Sequence, residues 1–80
     1  MDYEKFVENL VKPLVLKADD VVVKEISRED DLIVIQVLVN AEDLGRVIGR
    51  KGRIANSIRT LAYACAAREG DRIEIQIDQF

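Results

Sequence analysis

The 80-residue sequence has no histidine, no tryptophan and a single cysteine, Cys65. Without a second cysteine there is no internal disulfide, and without histidine the usual zinc ligand sets cannot be assembled. The same absences remove Ser-His-Asp and Cys-His nucleophilic catalysis. Carboxylates are plentiful, yet no paired acid–base constellation stands out among them. The expectation is therefore a binding protein and not an enzyme, with no cofactor and no metal site. Long apolar runs are missing as well. The longest fall far short of the roughly 20 residues that a membrane span needs. At the start of the chain, Asp2, Glu4 and Lys5 interrupt any apolar run of the kind a signal peptide carries. A soluble, cytoplasmic protein without membrane insertion is expected, organised as one domain over residues 1–80. A core this small supplies only about 3–5 kcal/mol of net stability, so a partner surface is a reasonable expectation.

Net positive charge is also absent. The balance is −3, which by itself argues against a nucleic-acid ligand. Its distribution argues the other way. Residues 1–43 hold eleven acids and five bases, and residues 69–80 hold four acids and one base. Between them, residues 44–68 carry Arg46, Arg50, Lys51, Arg53, Arg59 and Arg68 with no acid at all. A basic centre between acidic ends points to one localised anion-binding face.

Helical spacing of Tyr3, Phe6, Val7, Leu10, Val11 and Leu14 predicts an amphipathic helix over 2–12, with Asp2 as its cap and Pro13 ending it. Val21, Val22, Val23 and Ile26 read as a strand that stops at the polar turn 27–31. The nearly unbroken apolar run 32–39 reads as a central strand buried on both faces. The five-residue polar link predicts an antiparallel hairpin with a loop longer than the tight two-residue types. Asn40 can cap a short helix over 41–48, with Glu42 and Asp43 at its positive end. A longer helix begins near Arg53 and ends at Gly70, with Ile54, Ile58, Leu61, Ala62 and Cys65 as its core face. Asn56, Thr60, Tyr63 and Ala67 lie opposite. Small side chains around a tyrosine make that side a candidate partner interface. Strict alternation in 72–77, with Ile73, Ile75 and Ile77 on one side, predicts a half-buried strand.

The chemistry concentrates where the two later helices join. Val47-Ile48-Gly49-Arg50-Lys51-Gly52-Arg53-Ile54 brackets two cations between glycines, which permit positive φ and let a phosphate approach the main chain. The first amides of the following helix have no partner within it, and its dipole favours an anion there. Ile48 and Ile54 offer apolar surface beside the loop. Arg46 lies one turn earlier, within reach of a phosphate. Arg59 is on another side of its helix, so direct contact is not expected of it. Gly45, Gly49 and Gly52 match neither a Walker A loop nor a dinucleotide fingerprint. A helix-hairpin-helix turn has similar composition but sits among helices, whereas three strands are expected here.

Gly-x-x-Gly between two helices, preceded by Val-Ile and followed by Arg-Ile, resembles the signature of the KH domain. The element order helix-strand-strand-helix-helix-strand is similar to the prokaryotic, type II arrangement. Leu10-Val11-Lys12-Pro13-Leu14, together with residues 47–63, resembles the small bacterial single-KH proteins of the KhpA type. The resemblance covers the whole chain. It implies an α+β fold, with a three-stranded mixed sheet and helices on one face. It implies single-stranded RNA as ligand, held by a loop that in the family clamps about four backbone nucleotides. The residues that fall on its RNA-binding site are Arg46, Ile48, Gly49, Arg50, Lys51, Gly52, Arg53 and Ile54. It further implies a second copy, or a KH protein of the Jag type, as partner, and a role in post-transcriptional control or as an RNA chaperone linked to growth and division. A KH-shaped interaction module independent of RNA is the competing expectation.

Overall fold

In the computed structural model, which describes residues 1–80, the chain opens with helix α1 (Tyr3–Val11). Asp2 caps it, its side chain accepting the Lys5 amide at 3.0 Å. Tyr3, Val7 and Val11 are buried along one stripe, with Phe6 and Leu10 packed beside them. Pro13 sits in a short 3-10 turn, Lys12–Leu14, so the regular helix ends just ahead of the missing donor. A second 3-10 turn, Ala18–Asp20, leads into strand β1 (Val22–Glu29).

β1 corrects the sequence reading of the hairpin. Ser27, Arg28 and Glu29 are not turn residues; they pair with Val34, Ile33 and Leu32 of strand β2 (Leu32–Val39). Only Asp30 and Asp31 connect the strands, with Asp30 in the left-handed region at φ 53°. The antiparallel ladder overrides polar composition here because β1 is an edge strand whose end is open to water. A bulge absorbs the altered register. Glu25 pairs with Ile35 and Ser27 with Val34, which leaves Ile26 unopposed and exposed.

β2 is the central strand, antiparallel to β1 and parallel to strand β3 (Arg72–Gln79). Ile33, Ile35, Val37 and Val39 are wholly buried beneath the helices. Burial of both faces was expected, and the structure shows one. Leu32, Val34, Gln36 and Leu38 are half-buried on the side that no helix covers. A chain this short forms a single helical layer, and the outer face is shielded only by neighbouring strand side chains. Along β3, Ile73 and Ile75 are buried while Arg72, Glu74 and Gln76 face outward, as the alternation predicts.

Between β2 and β3 run a 3-10 turn (Ala41–Asp43), helix α2 (Leu44–Ile48) and helix α3 (Arg53–Arg68). Asn40 caps the first turn, accepting the Glu42 amide at 2.9 Å. α3 closes in a Schellman motif: Gly70, at φ 78°, donates to Ala67 O and Asp71 donates to Ala66 O. Its core face is Ala55, Ile58, Ala62 and Ala66, so Ile58 and Ala62 point inward as expected while Ile54, Leu61 and Cys65 do not belong to the buried stripe. Leu61 lies a quarter-turn away and is 51% exposed. Ile54 and Cys65 are half-buried at the margin. Alanines allow the helix axis to lie close to the sheet, and that closeness decides which stripe faces inward.

Three side chains tie the layers together. The Tyr3 hydroxyl donates to Asp71 Oδ2 at 2.8 Å, joining α1 to the entrance of β3. Burial, reinforced by that carboxylate, pushes the Tyr3 phenol up to about 12. Glu4 Oε2 accepts the Glu25 amide at 2.7 Å at the β1 bulge, and Arg59 donates Nε and Nη2 to Ile75 O on β3, each at 3.3 Å.

Asp43 is the one fully buried charged residue. Its carboxylate accepts the amides of Leu16 at 3.0 Å and Lys17 at 2.9 Å, and Arg46 Nη1 at 3.2 Å. It thereby ties the connection after α1 to the turn before α2. Burial pushes this carboxyl up, but the two amides, aided by Arg46, outweigh it and hold it below its ordinary 3.8. A carboxyl whose pKa falls on folding adds stability above its unfolded value, and that stability is lost as pH drops through its folded value. Asp43→Asn should therefore lower the midpoint of thermal unfolding by several degrees at neutral pH. The gap to wild type should close below about pH 3.8. Circular dichroism melts across that range check it, and a gap independent of pH would remove the charge from the explanation.

Candidate nucleic-acid interface

α2 stops at Ile48 because Gly49 leaves helical space, at φ 77° and ψ 172°. Its amide still reaches back to Gly45 O at 2.9 Å. Arg50, Lys51 and Gly52 then make one 3-10 turn, with the Gly52 amide on Gly49 O at 3.2 Å and the Arg53 amide on Arg50 O. Lys51 (φ 57°, ψ 24°) and Gly52 (φ 74°, ψ 14°) are both left-handed. For a lysine that conformation costs about 1–2 kcal/mol, which the two flanking helices enforce.

The two glycines are needed for different reasons. A Cβ at Gly49 would stand 2.6 Å from Cγ1 and 2.9 Å from Cβ of Ile54, whose side chain lies against the backbone there. Gly52 is required for its angle alone, since the nearest atom to a Cβ would be Asn56 Nδ2 at 4.0 Å.

Arg50, Lys51 and Arg53 are exposed, and no carboxylate lies within ion-pairing distance of any of them. Each of the five ion pairs in the molecule is made by other residues. Three free cations therefore surround a bare turn at the positive end of a 16-residue helix. Such a turn can take a phosphate by main-chain approach and by mobile cations at once. Ile48 and Ile54 flank it, both half-buried.

Arg46 stands apart from this group. Its guanidinium donates to Glu42 O at 2.8 Å as well as to Asp43, so it is held back along α2. Arg59 caps the β3 edge. Asn56, Thr60, Tyr63 and Ala67 are all exposed on the outer side of α3, although the Thr60 hydroxyl is satisfied by Asn56 O at 2.9 Å. Asp43 was missed as a positioning residue. An acid in a first helical turn reads as a dipole partner, and nothing in its sequence neighbourhood announces that a distant loop buries it. No group of three His, Cys, Asp or Glu side chains converges in the fold, and no helix is long and apolar enough to cross a membrane.

Comparison with known proteins identifies the family. The family model described as KhpA/KhpB, KH domain matches residues 4–77. The chain is 42% identical over 73 residues to the RNA-binding protein KhpA of Borreliella burgdorferi, covering 91% of this chain and 88% of that one. It is 40% identical over 74 residues to the RNA-binding protein KhpA of Clostridium perfringens, covering 92% and 97%. Among solved structures, an Aquifex aeolicus Era variant bound to GDP·AlF4− superposes with a TM-score of 0.71 at 19% identity. That match spans 96% of this chain and 30% of Era, and is a likeness of fold.

The loop geometry separates its two glycines experimentally. Gly52→Ala should cost about 1–2 kcal/mol through its backbone angle. Gly49→Ala adds a clash with a branched side chain close to its own Cα, and should cost about 2–4 kcal/mol. Urea unfolding of both variants checks the order, and equal losses would contradict the Ile54 approach.

Proposed function

Because this chain belongs to the KhpA/KhpB family of KH domains, we propose that it binds single-stranded RNA through the Gly49-Arg50-Lys51-Gly52 loop. The observation that carries this reading is the set of three unpaired cations, Arg50, Lys51 and Arg53, around that turn. Loop and cations hold the sugar-phosphate backbone, while bases lie beside Ile48 and Ile54. Arg46 contributes from α2 at longer range, oriented by Asp43. One small site engaging few nucleotides gives weak affinity and little base discrimination. Such a protein acts in the cytoplasm as an RNA chaperone or post-transcriptional regulator linked to growth and division.

A second copy, or a KH protein of the Jag type, raises this weak affinity by coupling two sites. The outer side of α3 supports that pairing. Asn56, Thr60 and Ala67 form a low surface there, with Tyr63, 48% exposed, beside them. An exposed tyrosine among small residues suits a helix-to-helix contact. A KH-shaped interaction module that ignores RNA would use the same surface, and the loop variant distinguishes the two.

Replacing Arg50 and Lys51 together with Asp should abolish crosslinking to RNA in a folded protein. In wild type, log affinity should fall against log salt with a slope of about −2, as expected for about three cations on a single strand. Undiminished crosslinking by the double variant would remove the loop from the site. Tyr63→Asp should shift the wild-type assembly toward monomer in sedimentation or native mass spectrometry, and an unchanged mass beside a dimeric wild type would exclude this surface.

A further inference from the structure

The two most exposed large hydrophobic side chains are Leu16, at 73%, and Phe80, at 65%. Both border the turn that carries Asp19 and Asp20, where the two largest hollows of the surface adjoin. One, of about 600 Å³, runs from that turn over Val22 and Ala41 to Phe80. The other, of about 390 Å³, runs from the same turn to Leu16. The two hollows thus share a pair of carboxylates and each has an exposed apolar side chain in its wall.

This face is held in shape from beneath. Buried Asp43 accepts the Leu16 amide at 3.0 Å, and Asn40 Nδ2 donates to Asp20 Oδ2 at 3.1 Å. The Phe80 amide donates to Val39 O at 3.1 Å, which fixes the chain at the end of β3. A surface anchored in this way has little freedom left to lose on binding, and its leucine and phenylalanine gain by leaving water. Its charge is left open. Lys17, the one cation in the walls, is paired with Glu42 at 3.6 Å, and neither Asp19 nor Asp20 takes part in any ion pair. A polyanion is repelled here, so the fitting occupant is a cationic surface with apolar flanks.

The chain itself carries such a surface. Arg50, Lys51 and Arg53 are exposed and unpaired, and Ile48 and Ile54 flank them. We propose that the Asp19-Asp20 face of one copy docks, head to tail, on the Arg50-Lys51 turn of a second copy, and that RNA displaces it. The two surfaces differ, so each docked pair leaves one face and one turn free and further copies can add. This sets the contact apart from a symmetric pairing through Tyr63. The contact itself needs only the unpaired cations; its displacement by RNA rests on the proposed loop reading. Exposed charges on a small area give a weak, salt-sensitive contact, so protein without RNA is reversibly occupied by its own kind.

The test is sedimentation velocity over a range of protein concentrations. At low salt the average mass of wild type should rise with concentration beyond a pair of copies. Raising salt about tenfold should weaken this association roughly tenfold and leave any pairing through Tyr63 in place. Asp19→Lys with Asp20→Lys should abolish the rise, as should Arg50→Asp with Lys51→Asp, in proteins whose melting shows them folded. Asp19→Lys alone, at a side chain without an ion pair, should reduce it should the double variant not fold. An equal mixture of the two double variants should regain association, because one supplies an acidic face and the other a basic turn. A mixed-sequence, single-stranded oligoribonucleotide should dissolve the wild-type chains. No rise in wild type, or a rise that survives in both double variants, overturns the proposal. A wild type that does not self-associate but binds an oligoarginine peptide through Asp19 and Asp20 would give the face to another cationic protein, and overturns it too. If the Arg50, Lys51 variant loses self-association yet crosslinks RNA as wild type does, the docking contact stands and the loop reading fails.

Discussion

The inner row of β2, formed by Ile33, Ile35, Val37 and Val39, is wholly buried, and its demands place both neighbouring strands and all three helices. β3 runs parallel to β2, with Arg72 beside Leu32 and Gln79 beside Val39. Parallel neighbours cannot be joined by a tight turn, so the chain leaving Val39 must travel back along the sheet before β3 begins. α2 and α3 make that return and cover the buried row as they do so. The loop between them is thus the corner of an obligatory crossover, held by packed helices on both sides. Its left-handed Lys51 and crowded Gly49 are conformations that an isolated loop would not keep.

Features governed by local chemistry were legible in the sequence. Asp2 and Asn40 were recognisable as caps, Gly70 as a helix stop and Ile73-Glu74-Ile75 as a half-buried strand, because each depends on neighbours within a few residues. Features decided by distant partners were not. The polar stretch 27–29 becomes strand because Leu32–Val34 pairs with it. Leu61 faces water because small alanines set the depth of α3, something that residue size alone predicts in the wrong direction. Asp43 looked like any acid at a helix start until the amides of Leu16 and Lys17 closed over it. The loop sequence was visible at once. The freedom of its cations was suggested by the missing acids in 44–68, but only the folded arrangement shows which arginines are committed elsewhere.

That partition resolves the apparent conflict between a net charge of −3 and an anion-binding face. Arg46 and Arg59 are held by acceptors of the protein itself, at Asp43 and at Ile75 O. Arg28 is paired with Glu25 at 2.7 Å. The acids elsewhere repel a polyanion from much of the surface, which favours approach toward the turn where three unpaired cations, Arg50, Lys51 and Arg53, stand together.

The contacts of Glu4 and Arg59 have a consequence of another kind. A three-stranded sheet has two open borders, each a row of main-chain groups that another chain can extend by adding a strand, the first step toward fibrous assembly. On β1 the Glu25 amide is already taken by Glu4, and on β3 the Ile75 carbonyl is already taken by Arg59. An incoming strand must displace a carboxylate at one border or a guanidinium at the other. This small, partly open sheet therefore carries its own guard against aggregation, mounted on the same helices that form its core.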